Sequence, residues 1–197
     1  MPKTLITGNI NPLRGEITPP GDKSISHRAI MLGSLANGVT HVSGFLNGED
    51  TISTLKAFQN MGIDIKHDKT DVEIKGKGLY GLSEPKTIID AGNSGTTTRL
   101  ITGLLAGQNF KSEITGDKYL KKRPMARVVK PLMEMGAEIT GEDNNNLLPL
   151  KIEGKKLKGI KYEVPVASAQ VKSCLILAGL FAEGITEIIE PQKTRDH

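Results

Sequence analysis

Three stretches of this sequence place hydroxyl, amide and basic side chains directly ahead of an apolar run. The first is Pro20-Gly21-Asp22-Lys23-Ser24-Ile25-Ser26-His27-Arg28. Backbone N–H groups and hydroxyls at a helix N-terminus attract anions, and adjacent cations add to that field. Lys23 and Arg28 are five positions apart, so both can face the helix mouth, where a phosphate or carboxylate would suit them. The same residues would also serve as an ordinary Ser/Asp cap with solvated charges. The second stretch is Gly92-Asn93-Ser94-Gly95-Thr96-Thr97-Thr98-Arg99. Its glycines permit close backbone approach to a ligand. It is not a Walker loop, because no Gly-Lys-Ser/Thr follows, and it is not a Rossmann fingerprint. The third is Ala167-Ser168-Ala169-Gln170-Val171-Lys172-Ser173, where Ser168 and Gln170 offer uncharged hydrogen bonds to hydroxyls or a phosphate. Either of these two could equally be a plain capped turn.

The densest basic stretch runs from Gly116 to Arg127. Pro124 stands where the first position of a helix is expected, which would set Arg123 at that helix's mouth. There its guanidinium could grip a carboxylate with two parallel hydrogen bonds. Lys121 and Lys122 read as solvated. Cys174 falls within an apolar helix and reads as inert core, and His27 reads as packing or hydrogen bonding near the site. Glu49 and Asp50 read as first-turn helix acids. No His/Asp/Glu grouping has metal-ligand spacing, so no metal site is expected.

These residues must be positioned by a repeated framework. The segment at 55–65 and the segment at 129–139 share a helix end, Met-Gly, and then strand-like alternation, at an offset of 74. A nearly wholly apolar helix recurs three times, in copies led by Arg28, Arg99 and Cys174. A helix apolar all round is buried. Each unit therefore reads as a short strand, a buried helix, a β-rich stretch, an amphipathic helix and further strands. Strands are expected at 38–43, 64–67, 72–75, 86–90, 112–115, 137–140, 148–152, 161–164 and 186–190, with a turn at 141–146. Repetition would bring the three polar caps to one end of the domain. The third unit stops where its amphipathic helix should begin, which predicts a truncated chain.

Composition narrows the function further. The 197 residues allow one sizeable domain or two small ones. Hydrophobic residues at 37% and charged residues at 24% argue against disorder. No apolar run reaches the ~18 residues of a membrane span, and the N-terminus has no signal-peptide core. One cysteine excludes an internal disulfide and a cysteine-cluster metal site, and fits a cytoplasmic protein. The net charge of +4 favours anionic ligands, whereas 4% aromatics and no Trp leave nucleic-acid stacking without support.

Taken together and in order, these clusters resemble the 5-enolpyruvylshikimate-3-phosphate synthase family. The matching pieces are Pro20 to Ala29, Gly92 to Arg99, Lys122-Arg123-Pro124-Met125, Val166 to Ser173, and Thr194-Arg195-Asp196-His197. The resemblance implies an α+β fold of two similar domains, each made of three βαβαββ units with helices inside, an inside-out α/β barrel. Residues 21–197 would be the N-terminal domain with its third repeat cut short, and residues 1–20 a segment that joins the other domain. It implies transfer of an enolpyruvyl group from phosphoenolpyruvate to the 5-hydroxyl of shikimate 3-phosphate, with release of phosphate and no cofactor. By resemblance, Lys23 is catalytic and contacts phosphoenolpyruvate. Ser24 and Arg28 bind shikimate 3-phosphate, with Arg28 at its carboxylate end. Asn93 and Gly95 shape the phosphoenolpyruvate pocket, and Arg123 clamps that substrate. Ser168, Gln170 and Arg195 hold the shikimate phosphate and ring. Some relatives have Ser-Ser-Gln where this chain has Ser168-Ala169-Gln170, so one hydroxyl contact is missing or replaced.

The family's acidic catalytic residues would lie in the absent half, so this chain is expected to bind shikimate 3-phosphate but to be inactive alone. The full-length enzyme is expected to be a monomer that engages neither nucleic acid nor membrane. Two alternatives remain. One is the related transferase acting on UDP-N-acetylglucosamine, which has Asn after the pocket Lys and a loop Cys, whereas here Ser24 follows Lys23. The other is a non-catalytic anion- or RNA-binding repeat domain, whose binding would fall steeply with salt.

Overall fold

The computed structural model describes residues 14–192 together with Gly8 and Pro12. Six α-helical segments, one 3-10 turn and eleven strands lie among them. The first unit runs α1 (Lys23–Leu35), β1 (Asn37–Val42), α2 (Glu49–Asn60), β2 (Asp64–Asp68) and β3 (Asp71–Lys77). The second runs β4 (Ile89–Asp90), α3 (Gly95–Ala106), β5 (Lys111–Thr115), α4 (Ala126–Glu134) and β6 (Glu138–Gly141). A left-handed turn, α5 (Glu142–Asn145), then leads into β7 (Leu147–Glu153). The third has β8 (Leu157–Lys158), β9 (Lys161–Glu163), α6 (Ala169–Gly179), β10 (Ala182–Glu183) and β11 (Glu187–Ile189).

The repeat is visible atom by atom. Gly62 and Gly136, 74 residues apart, both adopt positive φ, +86° and +96°. Each sits just past the end of an amphipathic helix, where glycine alone avoids a Cβ clash in the left-handed region. The flanking bonds match as well. Ile63 N donates to Phe58 O and Ala137 N donates to Leu132 O, at 3.1 and 3.0 Å. These are Schellman-type closures, and each turns the chain from helix directly into a strand. Parallel pairs β4–β5 and β9–β11 enclose α3 and α6 respectively, so the second and third units share a βαβ crossover. In the first unit no strand precedes α1 among the described residues, and β1 pairs with β3 on one side. The β8–β10 pair is also parallel, and the ladders β1-β3-β2 and β5-β7-β6 are antiparallel.

Nearly all expected strands form within a residue or two of their bounds. The 86–90 strand shrinks to β4, since only Ile89 and Asp90 pair. The third apolar helix ends at Gly179 rather than Gly184, because Ala182 and Glu183 pair with the short, unanticipated β8.

Burial of the apolar helices is unequal. Helix α3 is enclosed, with Leu100, Ile101, Leu104, Leu105 and Ala106 at 0–1% exposure. It crosses α6 at Gly103, where an added Cβ would lie 2.3 Å from the Cys174 carbonyl oxygen. Helices α1 and α6 are enclosed on one side only. Leu32 on α1 and Ile176 on α6 are each 51% exposed. An apolar circumference therefore means full burial for the middle helix and half burial for the outer two. Helix α3 is flanked by the helices α2, α4 and α6, whereas α1 packs on α2 and the helices packed on α6 are α3 and α4. Among the described residues no helix is long and apolar enough to cross a membrane.

Candidate functional site

The three polar clusters do become helix caps. Asp22, Ser94 and Ser168 are the N-caps of α1, α3 and α6, accepting from the N–H of Ile25, Thr97 and Val171 respectively. Asp22 and Ser94 are caps distinct from the residues expected to bind ligand, whereas Ser168 is both the α6 cap and one of those expected residues.

The caps converge through cross-helix bonds. Arg28 on α1 donates through Nη2 to Ser173 Oγ of α6 at 2.6 Å and through Nη1 to Ser24 O at 3.2 Å. Arg99 on α3 donates to Gln170 Oε1 of α6 at 2.8 Å and to Pro124 O at 3.1 Å. Gln170 Nε2 returns a bond to Thr96 Oγ1 at 3.0 Å. Arg123 Nη2 reaches Asn93 Oδ1 at 2.5 Å, and Asn93 Nδ2 is anchored on Asp117 Oδ2. Gly95 lies under this pair, since a Cβ there would stand 2.9 Å from Arg99 Nη1 and 3.4 Å from Arg123 Nη1. Lys23 forms an ion pair with Asp50 at the start of α2.

Lys23, Ser24, Arg28, Asn93, Gly95, Arg123, Ser168 and Gln170 therefore belong to one rim. Ser168 spends its hydroxyl as the α6 cap. Arg195 lies outside the described residues. Arg123 arrives by a different route from the one expected. Helix α4 begins at Ala126, so Pro124 precedes it rather than opening it. The mouth of α4 is covered by Asn146, which accepts from Met125 N and Ala126 N. Arg123 instead extends from the end of a short 3-10 turn toward the α3 cap.

Charge balance is the informative property of this rim. Arg28, Arg99 and Arg123 hydrogen-bond to hydroxyl, amide and carbonyl oxygens, all neutral. None of the three enters an ion pair among the described residues. Arg99 is pulled below the usual arginine range first by burial, then by Arg123 and Arg127 nearby. Clustered guanidiniums without a carboxylate leave a positive field that an anion would relieve. Cys174, in contrast, is fully buried and its thiol is pushed up to about 12, so it is inert at neutral pH. No grouping of His, Cys, Asp and Glu among the described residues could hold a metal ion.

Three participants escaped sequence reasoning. Arg99 had a signal, since it occupies in the second repeat the place that Arg28 holds in the first. Asp50 read only as a helix-start acid, and Ser173 as part of a cap. Their pairings with Lys23 and Arg28 cross between helices, which no local pattern encodes.

Fold and caps together define a repeat-built α+β domain with three arginines gathered at its helix caps. The sequence description of EPSP synthase (3-phosphoshikimate 1-carboxyvinyltransferase) matches residues 7–197, and the chain belongs to that family. It is 60% identical over 185 residues to the 3-phosphoshikimate 1-carboxyvinyltransferases of Citrifermentans bemidjiense and Geobacter sulfurreducens, which covers 94% of this chain and 43% of theirs. The solved EPSP synthase of Acinetobacter baumannii superposes with a TM-score of 0.90 at 52% identity, over 92% of this chain and 41% of that one. The chain thus spans less than half the length of the relatives it matches.

Proposed function

We propose that this chain forms one wall of the active-site cleft of a cytoplasmic 3-phosphoshikimate 1-carboxyvinyltransferase. That enzyme joins the enolpyruvyl group of phosphoenolpyruvate to the 5-hydroxyl of shikimate 3-phosphate and releases phosphate. The observation that supports this reading is the trio Arg28, Arg99 and Arg123, bonded only to neutral acceptors at converging helix caps. Both substrates are polyanions, and such a rim would gain energy from either.

In this reading Arg28 and Ser24, on the first turns of α1, face shikimate 3-phosphate, together with Ser168 and Gln170 at the head of α6. Arg123, Asn93 and Gly95 form the phosphoenolpyruvate side. Lys23 lies against the same substrate, where its ammonium can balance charge or pass a proton. Asp50 holds that ammonium in place until substrate arrives. Residues 21–197 would be the substrate-binding domain and residues 1–20 a link to the second. The remaining length of the relatives would supply the opposite wall and the acid–base groups. Helices α1 and α6, with Leu32 and Ile176 uncovered, would be completed by that same remainder.

Titration of the 197-residue chain with shikimate 3-phosphate, followed by amide NMR, tests the reading. Shifts at Ser24, Arg28 and Gln170 are expected at millimolar ligand, weaker with UDP-N-acetylglucosamine. Absence of shifts at all three would overturn it. No phosphate release from the two substrates is expected with this chain alone.

A further inference from the structure

We propose that His27 is a positioning residue: through the side-chain path His27–Thr54–Thr97–Ser94 it locks the cap of α1 to the cap of α3, so that the anion-binding groups on both caps keep one fixed spacing. What the caps bind rests on the reading above, whereas the lock itself does not.

His27 sits between Lys23 and Arg28 but turns inward, at 0% exposure. Its Nδ1 is 2.7 Å from Thr54 Oγ1 on α2. Thr54 Oγ1 is 2.8 Å from Thr97 Oγ1 on α3. Thr97 Oγ1 donates to Ser94 Oγ at 2.6 Å, and Ser94 stands between Asn93 and Gly95. Thr54, Thr97 and Ser94 are also at 0% exposure. Thr97 Oγ1 further lies 3.2 Å from the carbonyl oxygen of Asp50, the residue that pairs with Lys23. The path therefore joins side chains on α1, α2 and the α3 cap and reaches the backbone of Asp50.

Buried polar paths of this kind hold one arrangement, because any slip leaves a polar atom unpaired in a low-dielectric interior. His27 Nε2 is buried and has no partner among the described residues. An apolar side chain would avoid that cost, so the value of the imidazole must lie in its Nδ1 bond. Burial keeps the ring neutral, with its pKa lowered to about 4, so at neutral pH one nitrogen donates and the other accepts.

Amide hydrogen exchange on the 197-residue chain tests the lock without any ligand. His27→Phe keeps the ring's bulk and removes Nδ1, and Thr54→Val keeps the shape and removes the hydroxyl. Each variant is expected to exchange the Thr97 and Thr98 amides roughly tenfold faster, with β7 amides near wild-type rates. Wild-type rates at Thr97 and Thr98 in both variants would overturn the lock. So would equal acceleration in β7, which signals global loosening. Should His27→Phe fail to fold, Thr54→Val decides. A second arm adds shikimate 3-phosphate. In the wild-type chain its binding should move the Asn93 and Gly95 amides along with Ser24 and Arg28, and in Thr54→Val only the latter pair should move. Silence of Ser24 and Arg28 in both chains would count against the binding reading alone, and the exchange rates would still judge the lock.

Discussion

Acidification should destabilise this protein through His27 before its carboxylates matter. In the unfolded chain the imidazole takes up a proton near its ordinary value of 6.5, whereas in the fold burial lowers that value to about 4, opposed by Asp50 and reinforced by Lys23 and Arg28. Between these two values the unfolded state binds the extra proton. The stabilisation is therefore complete above 6.5 and is lost as pH falls toward 4. The separation corresponds to about 3 kcal/mol at roughly 1.4 kcal/mol per pH unit. Against a stability of ~5–15 kcal/mol this is a large fraction. His27→Asn cannot titrate in this window. Urea unfolding followed by circular dichroism at about pH 7.5 and about pH 4.5 would measure both chains. The wild-type chain should lose about 2–3 kcal/mol more than His27→Asn over that interval. Asp64 and Glu73 are held below the ordinary carboxyl range by hydrogen bonds from Lys75 and Lys66, so they titrate lower and identically in both chains. Equal acid sensitivity in the two chains would refute the assignment.

Other outcomes follow from the same structure. Gly103→Ala should lose about 1–3 kcal/mol in urea unfolding, because the new Cβ meets the Cys174 carbonyl at 2.3 Å and backbone must move. Alanine's better helix propensity, about 1 kcal/mol, offsets only part of this. Cys174 should resist a thiol reagent in the folded chain and react promptly in urea, and fast native labelling would contradict its burial. Arg28→Ala should weaken shikimate 3-phosphate binding at least roughly tenfold with little change in melting temperature, since its partners are a hydroxyl and a half-exposed carbonyl. Asp50→Asn should shift stability by less than about 1 kcal/mol, because the Lys23 end of its ion pair is half-exposed and water screens the pair.

Much of the architecture is local and so is written locally. Met61-Gly62 and Met135-Gly136 encode the same helix stop twice, because a left-handed residue demands glycine wherever the chain reverses there. Alternation at 64–67, 72–75 and 148–152 encodes strands because one sheet face is wet. The caps of α1, α3 and α6 are legible because only short polar side chains satisfy the first turn's N–H groups. The errors also have physical causes. Pro124 reads as a helix opener, but a 3-10 turn and three further residues, Arg123, Pro124 and Met125, precede α4, with Asn146 closing its mouth from another loop. The all-round apolar pattern of α1 and α6 records faces that these residues leave uncovered, which sequence cannot distinguish from burial.

The sequence by itself determined the repeat, the capped apolar helices and the residue types that suit polyanions, because each depends on neighbours within a few positions along the chain. Only the tertiary structure decided which cap faces which. Pairing Lys23 with Asp50, Arg28 with Ser173, Arg99 with Gln170 and Arg123 with Asn93 depends on how α1, α2, α3 and α6 pack. Their spacing is set by contacts such as Gly103 against Cys174 and by the buried path from His27 to Ser94, which join residues tens of positions apart. Charge left unpaired by that packing is what the proposed binding of polyanions rests on.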